Sequence, residues 1–254
     1  MPKFAFIMDN ENLIFGTRAV IEAVQAGKTL EKILIQKGLS NELYHQLRKA
    51  IKDTTIPLQF VPIEKLQRIT TKNHQGVVAF LTEITYYNCE DLLTEVVEQG
   101  KIPFVLILDR ITDVRNFGAI ARSAECAGID FIIIPTRGAA QINGDAIKTS
   151  AGALHKLRVC REDNLKNSID YLKNSGLQIV ACHEKTTNNY YDANFNKPTA
   201  IIMGSEENGI SGEYLKRADY EVKIPMAGNT ASLNVSVATG IILFEALKQR
   251  ILNK

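Results

Sequence analysis

Three short segments of this 254-residue chain bring together amides, carboxylates, a guanidinium and glycines. The first is Leu108-Asp109-Arg110-Ile111-Thr112-Asp113-Val114-Arg115-Asn116-Phe117-Gly118-Ala119-Ile120-Ala121-Arg122. An apolar strand ends there in a polar loop and a helix begins near Asn116, which places Arg122 within its first two turns, at an end that favours an anion. The second, Ile201 to Ser211, has Gly204 and Gly209 bracketing Glu206 and Glu207 directly after a buried strand. Glycines there let the backbone turn sharply and approach a ligand while a carboxylate is held at the sheet edge. The third, Val222 to Ala238, passes through Pro225 and Gly228 to Ser232 and Asn234 at the entrance of an apolar helix. Singly, each has a plain alternative: a capping Asn with a solvated Arg, an acidic surface turn, a pair of helix caps. Together they bring Asn, Arg, Glu, Ser and Asn to the ends of strands, with neither a metal-ligand set nor an activated nucleophile.

Several other chemistries are disfavoured. Gly27-Lys28-Thr29 resembles the end of a phosphate-binding loop, but the glycine required five positions before its partner is Glu22, so it reads as a helix terminus. No Gly-x-Gly-x-x-Gly follows a strand, which removes the main support for a dinucleotide enzyme. The four cysteines and four histidines are scattered, too sparse for a disulfide framework or a zinc site, so no metal is expected. No stretch approaches the ~20 apolar residues of a membrane span, the first residues do not read as a signal peptide, and a reducing cytoplasm is the expected location. The net charge of +2 gives no support to a polybasic arm, although residues 101–158 hold eight basic and five acidic side chains.

The elements that must position these residues follow from periodicity. Residues 1–85 alternate between short helices and strands: a helix over Leu13 to Ala26, a strand Leu30 to Ile35, a helix from Ser40 to Lys52 capped by Ser40, a strand Leu58 to Val61, a helix Ile63 to Ile69 and a strand Gly76 to Leu81. Residues 86–102 read as a linker that carries a short acidic amphipathic segment, Asp91 to Glu98, ended by Gly100. From residue 103 to 254 the alternation restarts, with continuous apolar runs such as Val105 to Leu108 and Ala200 to Met203. Such runs predict strands covered on both faces in a mainly parallel sheet, hence an α/β fold.

In order and spacing, Asn116 to Arg122, Gly204 to Gly209 and Ile224-Pro225-Met226 through Ser232-Leu233-Asn234-Val235-Ser236 resemble the three motifs of the SpoU (TrmH) class of SPOUT RNA 2'-O-ribose methyltransferases. Phe15-Gly16-Thr17-Arg18-Ala19-Val20 and His74-Gln75-Gly76-Val77-Val78-Ala79 look like the L30e-like substrate-binding domain of the subgroup that modifies a guanosine of 23S ribosomal RNA. The resemblance implies an α/β catalytic domain with a deep C-terminal trefoil knot, preceded by a small L30e-like α/β domain. It implies S-adenosyl-L-methionine as cofactor, held by Gly204, Ile224, Met226 and Leu233, and a homodimer through the knot region and final helix. It further implies catalytic roles for Asn116, Arg122, Glu206, Ser232 and Asn234. Arginine rarely deprotonates in proteins. Arg122 is therefore expected to clamp a phosphate, Asn116 to position the hydroxyl, Glu206 to orient Arg122 or accept the proton, and Ser232 and Asn234 to hold the loop. Ser205 and Glu207 depart from the family's usual Asn and Gly, and Val114-Arg115 stands where a proline and a variable residue are common. Methylation of transfer RNA and a non-catalytic, ribosome-associated RNA-binding role are the alternatives.

Overall fold

The computed structural model describes residues 13–52, 54–82, 84–230 and 232–252, and the chain divides into two compact units, residues 1–83 and 84–254. In the first unit, β1 (Leu13–Phe15), β2 (Leu30–Gln36), β3 (Leu58–Val61) and β4 (Val77–Leu81) form a mixed sheet of order β1-β4-β2-β3, with helices α1 (Thr17–Gln25), α2 (Glu42–Ala50) and α3 (Ile63–Ile69). The expected helix from Leu13 begins only at Thr17. Leu13–Phe15 pair instead with β4, and Gly16, at φ 92°, turns the chain between strand and helix. Ser40 does not cap α2; Asn41 does, its side chain accepting from the Tyr44 amide at 2.9 Å.

The second unit holds β5 (Tyr86–Tyr87), α4 (Cys89–Glu98), β6 (Phe104–Asp109), α5 (Val114–Cys126), β7 (Phe131–Pro135), α6 (Gly144–Thr149), β8 (Arg158–Glu162), α7 (Leu165–Asn174), β9 (Gln178–Cys182), β10 (Thr199–Gly204), α8 (Gly212–Leu215), β11 (Tyr220–Val222) and α9 (Val235–Leu252). Its seven strands are all parallel, in the order β11-β9-β10-β6-β7-β8-β5. Residues 86–102, expected as a linker, instead supply a strand and a helix of this unit. Tyr86–Tyr87 pair with β8, and Cys89, Leu92, Leu93 and Val96 of α4 are buried against the sheet. The apolar residues of α4 do recur at helical spacing, but a two-residue strand carries no period of its own, so nothing local tells that this stretch joins the sheet.

Alternate residues of each strand serve opposite faces. Phe104, Leu106 and Leu108 pack with α5, α6 and α9, whereas Val105 and Ile107 pack with α4 and α7. Both faces are dry, which is why β6, β7 and β10 are nearly unbroken apolar runs. Gly118 has a packing reason: a Cβ there would lie 2.7 Å from the Thr149 Cβ and 2.8 Å from the Ala146 carbonyl oxygen, so only glycine allows α5 to approach α6. Arg250 near the end of α9 donates to the carbonyls of Ile102, Pro103, Phe195 and Lys197, tying the last helix to the strand entrances on the far side of the sheet.

Candidate active site

The register places Gly204, which ends β10, opposite Asp109, the last residue of β6, and Met203 opposite Cys182 at the end of β9. Three parallel strands thus release their loops at one edge, where open α/β sheets bind ligands. Glu206 Oε1 accepts from Asn234 Nδ2 at 2.7 Å, from the Val235 amide at 3.0 Å and from Asn116 Nδ2 at 3.3 Å. Asn234 Nδ2 also donates to Asn116 Oδ1 at 3.0 Å, closing a triangle of side chains up to 118 residues apart in the chain. Asn234 Oδ1 accepts from the Ser236 and Val237 amides, so this residue caps α9 while its amide group reaches the other two. The carboxylate consequently sits at the positive end of an 18-residue helix.

Four of the five expected catalytic residues lie in this region. Asn116, Glu206 and Asn234 are bonded to one another, and Ser232 lines the adjoining cavity. Arg122 does not join them. Helix α5 begins at Val114, capped by Asp113 rather than Asn116, so Arg122 stands in its third turn, exposed and without a hydrogen bond or ion pair among the described residues. Glu206 is therefore not the group that orients Arg122 here; its acceptor bonds go to Asn116, Asn234 and Val235.

Beside the triangle lies a cavity of about 370 Å³, and all four residues expected to hold a cofactor, Gly204, Ile224, Met226 and Leu233, line it. Val235, Ala238 and Ile242 make part of its wall apolar, while Glu206 and Glu207 bring carboxylates to it. Gly204 is obligatory: a Cβ on it would fall 2.2 Å from the carbonyl carbon of Gly209 and 2.4 Å from the Ile210 nitrogen. Cys182 and His183 also line this cavity, and burial pushes the Cys182 thiol up to about 12. His183 Nε2 lies 2.8 Å from Glu221 Oε2, an ion pair when the ring is protonated.

The loop is tethered from below. Buried Asp109 accepts from the Ser211 amide at 2.7 Å and from Arg110 Nε and Nη2 at 2.9 and 3.0 Å; Arg110 Nη2 also donates to the Gly209 carbonyl at 3.3 Å. Arg110 does this from φ 58°, a left-handed conformation uncommon for arginine. The bond to Asp109 raises its pKa above the ordinary arginine value. Sequence reading passed over Asp109 and Arg110. The signal available was their place at the end of a strand, but their partners are about a hundred residues away.

Residues 103–244 match the family model described as the SpoU rRNA Methylase family, and residues 13–87 match that described as RNA 2'-O ribose methyltransferase substrate binding. The chain belongs to the SpoU rRNA methylase family. This SpoU methylase is 34% identical over 240 residues to a TrmH family tRNA/rRNA methyltransferase of Staphylococcus saprophyticus, an overlap covering 94% of this chain and 96% of that one. Its fold is similar to that of the SpoU methyltransferase AviRb from Streptomyces viridochromogenes, whose crystal structure is a complex with the cofactor AdoMet. That similarity has a TM-score of 0.60 at 26% identity over 94% of this chain and 90% of that one. It is also similar to the TrmH/SpoU tRNA modifying enzyme of A. aeolicus, with a TM-score of 0.55 at 32% identity over 65% and 85% of the two chains. The SpoU methylase described here is thus an RNA methyltransferase. No helix among the described residues is long and apolar enough to cross a membrane.

Proposed function

We propose that this SpoU methylase transfers the methyl group of S-adenosyl-L-methionine to the 2'-hydroxyl of a ribose, on a guanosine of 23S ribosomal RNA. The observation that carries the reading is the convergence of Asn116, Glu206 and Asn234, from three separate strand ends, beside a cavity lined by Gly204, Ile224, Met226 and Leu233. That cavity suits the cofactor. Its volume of about 370 Å³ falls in the range of about 300–1,000 Å³ for small-molecule sites, Ile224, Leu233, Val235 and Ala238 offer apolar surface to an adenine, and the Glu206 and Glu207 carboxylates suit a sulfonium charge. When bound, the cofactor supplies a methyl group already activated on a positively charged sulfur.

The protein's part is then alignment and proton removal. Asn116, held by Asn234 and Glu206, positions the ribose hydroxyl. Oε1 of Glu206 already accepts three donors, so Oε2 is the oxygen left to take the hydroxyl proton as the oxygen gains its methyl group. Arg122, exposed and without a partner among the described residues, is left to clamp a phosphate of the RNA, with Ser232 and Asn234 holding the loop. Membership in the SpoU family is what supports a trefoil knot in the C-terminal part. Helix α9 exposes Val237, Phe244, Ile251 and Leu252, which supports a homodimer that covers them. The four free cysteines are consistent with a reducing cytoplasm.

The test is mass-spectrometric mapping of ribose methylation in ribosomal and transfer RNA from cells with and without this gene. A 2'-O-methylguanosine in 23S RNA that disappears with the gene supports the proposal. Loss of a transfer RNA methyl group instead favours the second reading, which the similarity to the A. aeolicus tRNA modifying enzyme supports. An unchanged map, with no heat of S-adenosylmethionine binding to the folded protein, leaves the RNA-binding role without catalysis.

A further inference from the structure

The overall charge of +2 conceals an uneven distribution: the sequence from residue 13 to 82 holds ten basic and five acidic side chains. Much of that excess gathers around one face of its sheet. Helices α1 and α2 cover the opposite face, where Val20, Ile21, Ile33, Ile35, Leu47, Val77 and Ala79 form a closed core. Among the described residues this face has only α3, whose Leu66 buries Leu34, Val61 and Val78 and leaves Leu13, Phe15 and Phe80 partly buried beside them.

The register puts Lys32, Phe80 and Leu13 side by side across β2, β4 and β1, with Phe15 diagonal to Phe80 on the same face. Lys32 Nζ lies 4.7 Å from the centre of the Phe80 ring and Lys72 Nζ lies 5.2 Å from that of Phe15. Burial first, and then the charge of Lys65, lower the Lys32 pKa, while Glu31 opposes the shift. Lys65 and Lys72 are exposed at this corner. Aromatic rings interleaved with cations are what a single-stranded nucleic acid meets on its binding platforms: bases have π-faces to stack, and phosphates need neutralising.

We propose that this corner, Phe15 and Phe80 ringed by Lys32, Lys65 and Lys72, holds a single-stranded stretch of the substrate RNA. The inference rests on the RNA-methyltransferase reading for its ligand, though not on which RNA is methylated. It makes the three lysines specificity-determining groups that act on RNA affinity and leave the chemistry alone.

The test uses the full chain, an in-vitro-transcribed fragment of 23S RNA and a transfer RNA transcript, with filter binding over a salt series alongside methyl-transfer kinetics. Neutralising Lys32, Lys65 and Lys72 together to Ala is expected to reduce the slope of log affinity against log salt by about 2, at about 0.7 per contact for single strands. KM for RNA should rise at least about tenfold at physiological salt, while kcat and S-adenosylmethionine affinity stay at wild-type values. Should Lys32→Ala disturb packing, the exposed pair Lys65→Ala and Lys72→Ala should still reduce the slope by about 1.4, and the corresponding Lys→Arg changes should restore it. Phe80→Leu, which keeps an apolar side chain but loses the ring, should weaken binding about fivefold or more. An unchanged slope and KM in both lysine variants overturns the proposal. So does a loss of thermal stability with the slope intact, which would mean that protein, and not RNA, covers this face. Wild-type protein that binds RNA with the expected slope but methylates none would overturn the functional reading and leave the surface standing.

Discussion

Glu206 is the most heavily used side chain of the candidate site, with three donors on a single oxygen. Glu206→Gln keeps an oxygen for those donors but cannot accept a proton. Turnover should fall about 100-fold or more with little change in melting temperature, and the carboxylate-like limb of the pH-rate profile should vanish. An unchanged profile would remove Glu206 from proton acceptance. Arg122 makes the opposite case: having no partner among the described residues, it contributes little to stability. Arg122→Lys should melt like the wild type yet lose most of its turnover if a planar, two-pronged phosphate contact is needed; near-normal kinetics would reject the clamp. Cys182 provides a pH marker. Its thiol rises in the folded protein from an ordinary 9.0 to about 12, so the stability it contributes is complete below pH 9 and is lost as pH rises toward 12, because the unfolded chain ionises first. Thermal melts from pH 8 to pH 11 should therefore fall less steeply for Cys182→Ala than for the wild type.

At the scale of elements, the decisive feature is how the β10 loop is held against the end of β6. Gly204 lets the loop fold back on its own Gly209 and Ile210, and Asp109 with Arg110 ties it to β6. Arg110→Gly should relieve the left-handed backbone while cutting the bond to the Gly209 carbonyl. Its expected signature is a lower melting temperature, because buried Asp109 loses both Arg110 donors, together with weaker S-adenosylmethionine binding by calorimetry; affinity equal to the wild type would show that the tether is not needed. Asp109→Ala is harsher. It strips the Ser211 amide and Arg110 of their shared acceptor and should cost about 2–3 kcal/mol in a denaturant titration. Much of the element pattern was legible because helices and doubly covered strands imprint their periods on the sequence. The exceptions have causes: Leu13–Phe15 continued a helical spacing until Gly16 broke it, and the two residues of β5 are too few to show a period, which left α4 without a visible tie to the sheet.

For the molecule as a whole, the main uncovered apolar surface of the second unit includes α9. A helix apolar on several sides is ordinarily buried, yet Val237 and Phe244 are about half exposed, at 51% and 48%. Replacing both with Glu should turn the proposed homodimer into a monomer by sedimentation analysis while leaving the intramolecular core, which uses Ile242, Leu243 and Ala246, intact. A double variant that remains dimeric, or a wild type that is monomeric, would place the self-association elsewhere or nowhere.

By itself the sequence determined the alternation of elements, the buried parallel strands and the residue types waiting at their ends, because secondary-structure period and capping chemistry are local properties. Even the motif resemblance is a statement about order along the chain. Only the tertiary structure decided which ends meet: that Asn116, Glu206 and Asn234 close a triangle, that Arg122 stands outside it, and that Asp109 and Arg110 reach across to Ser211 and Gly209. The physical reason is the strand order. Placing β10 between β9 and β6 brings segments about a hundred residues apart to one sheet edge, and no local period records that pairing.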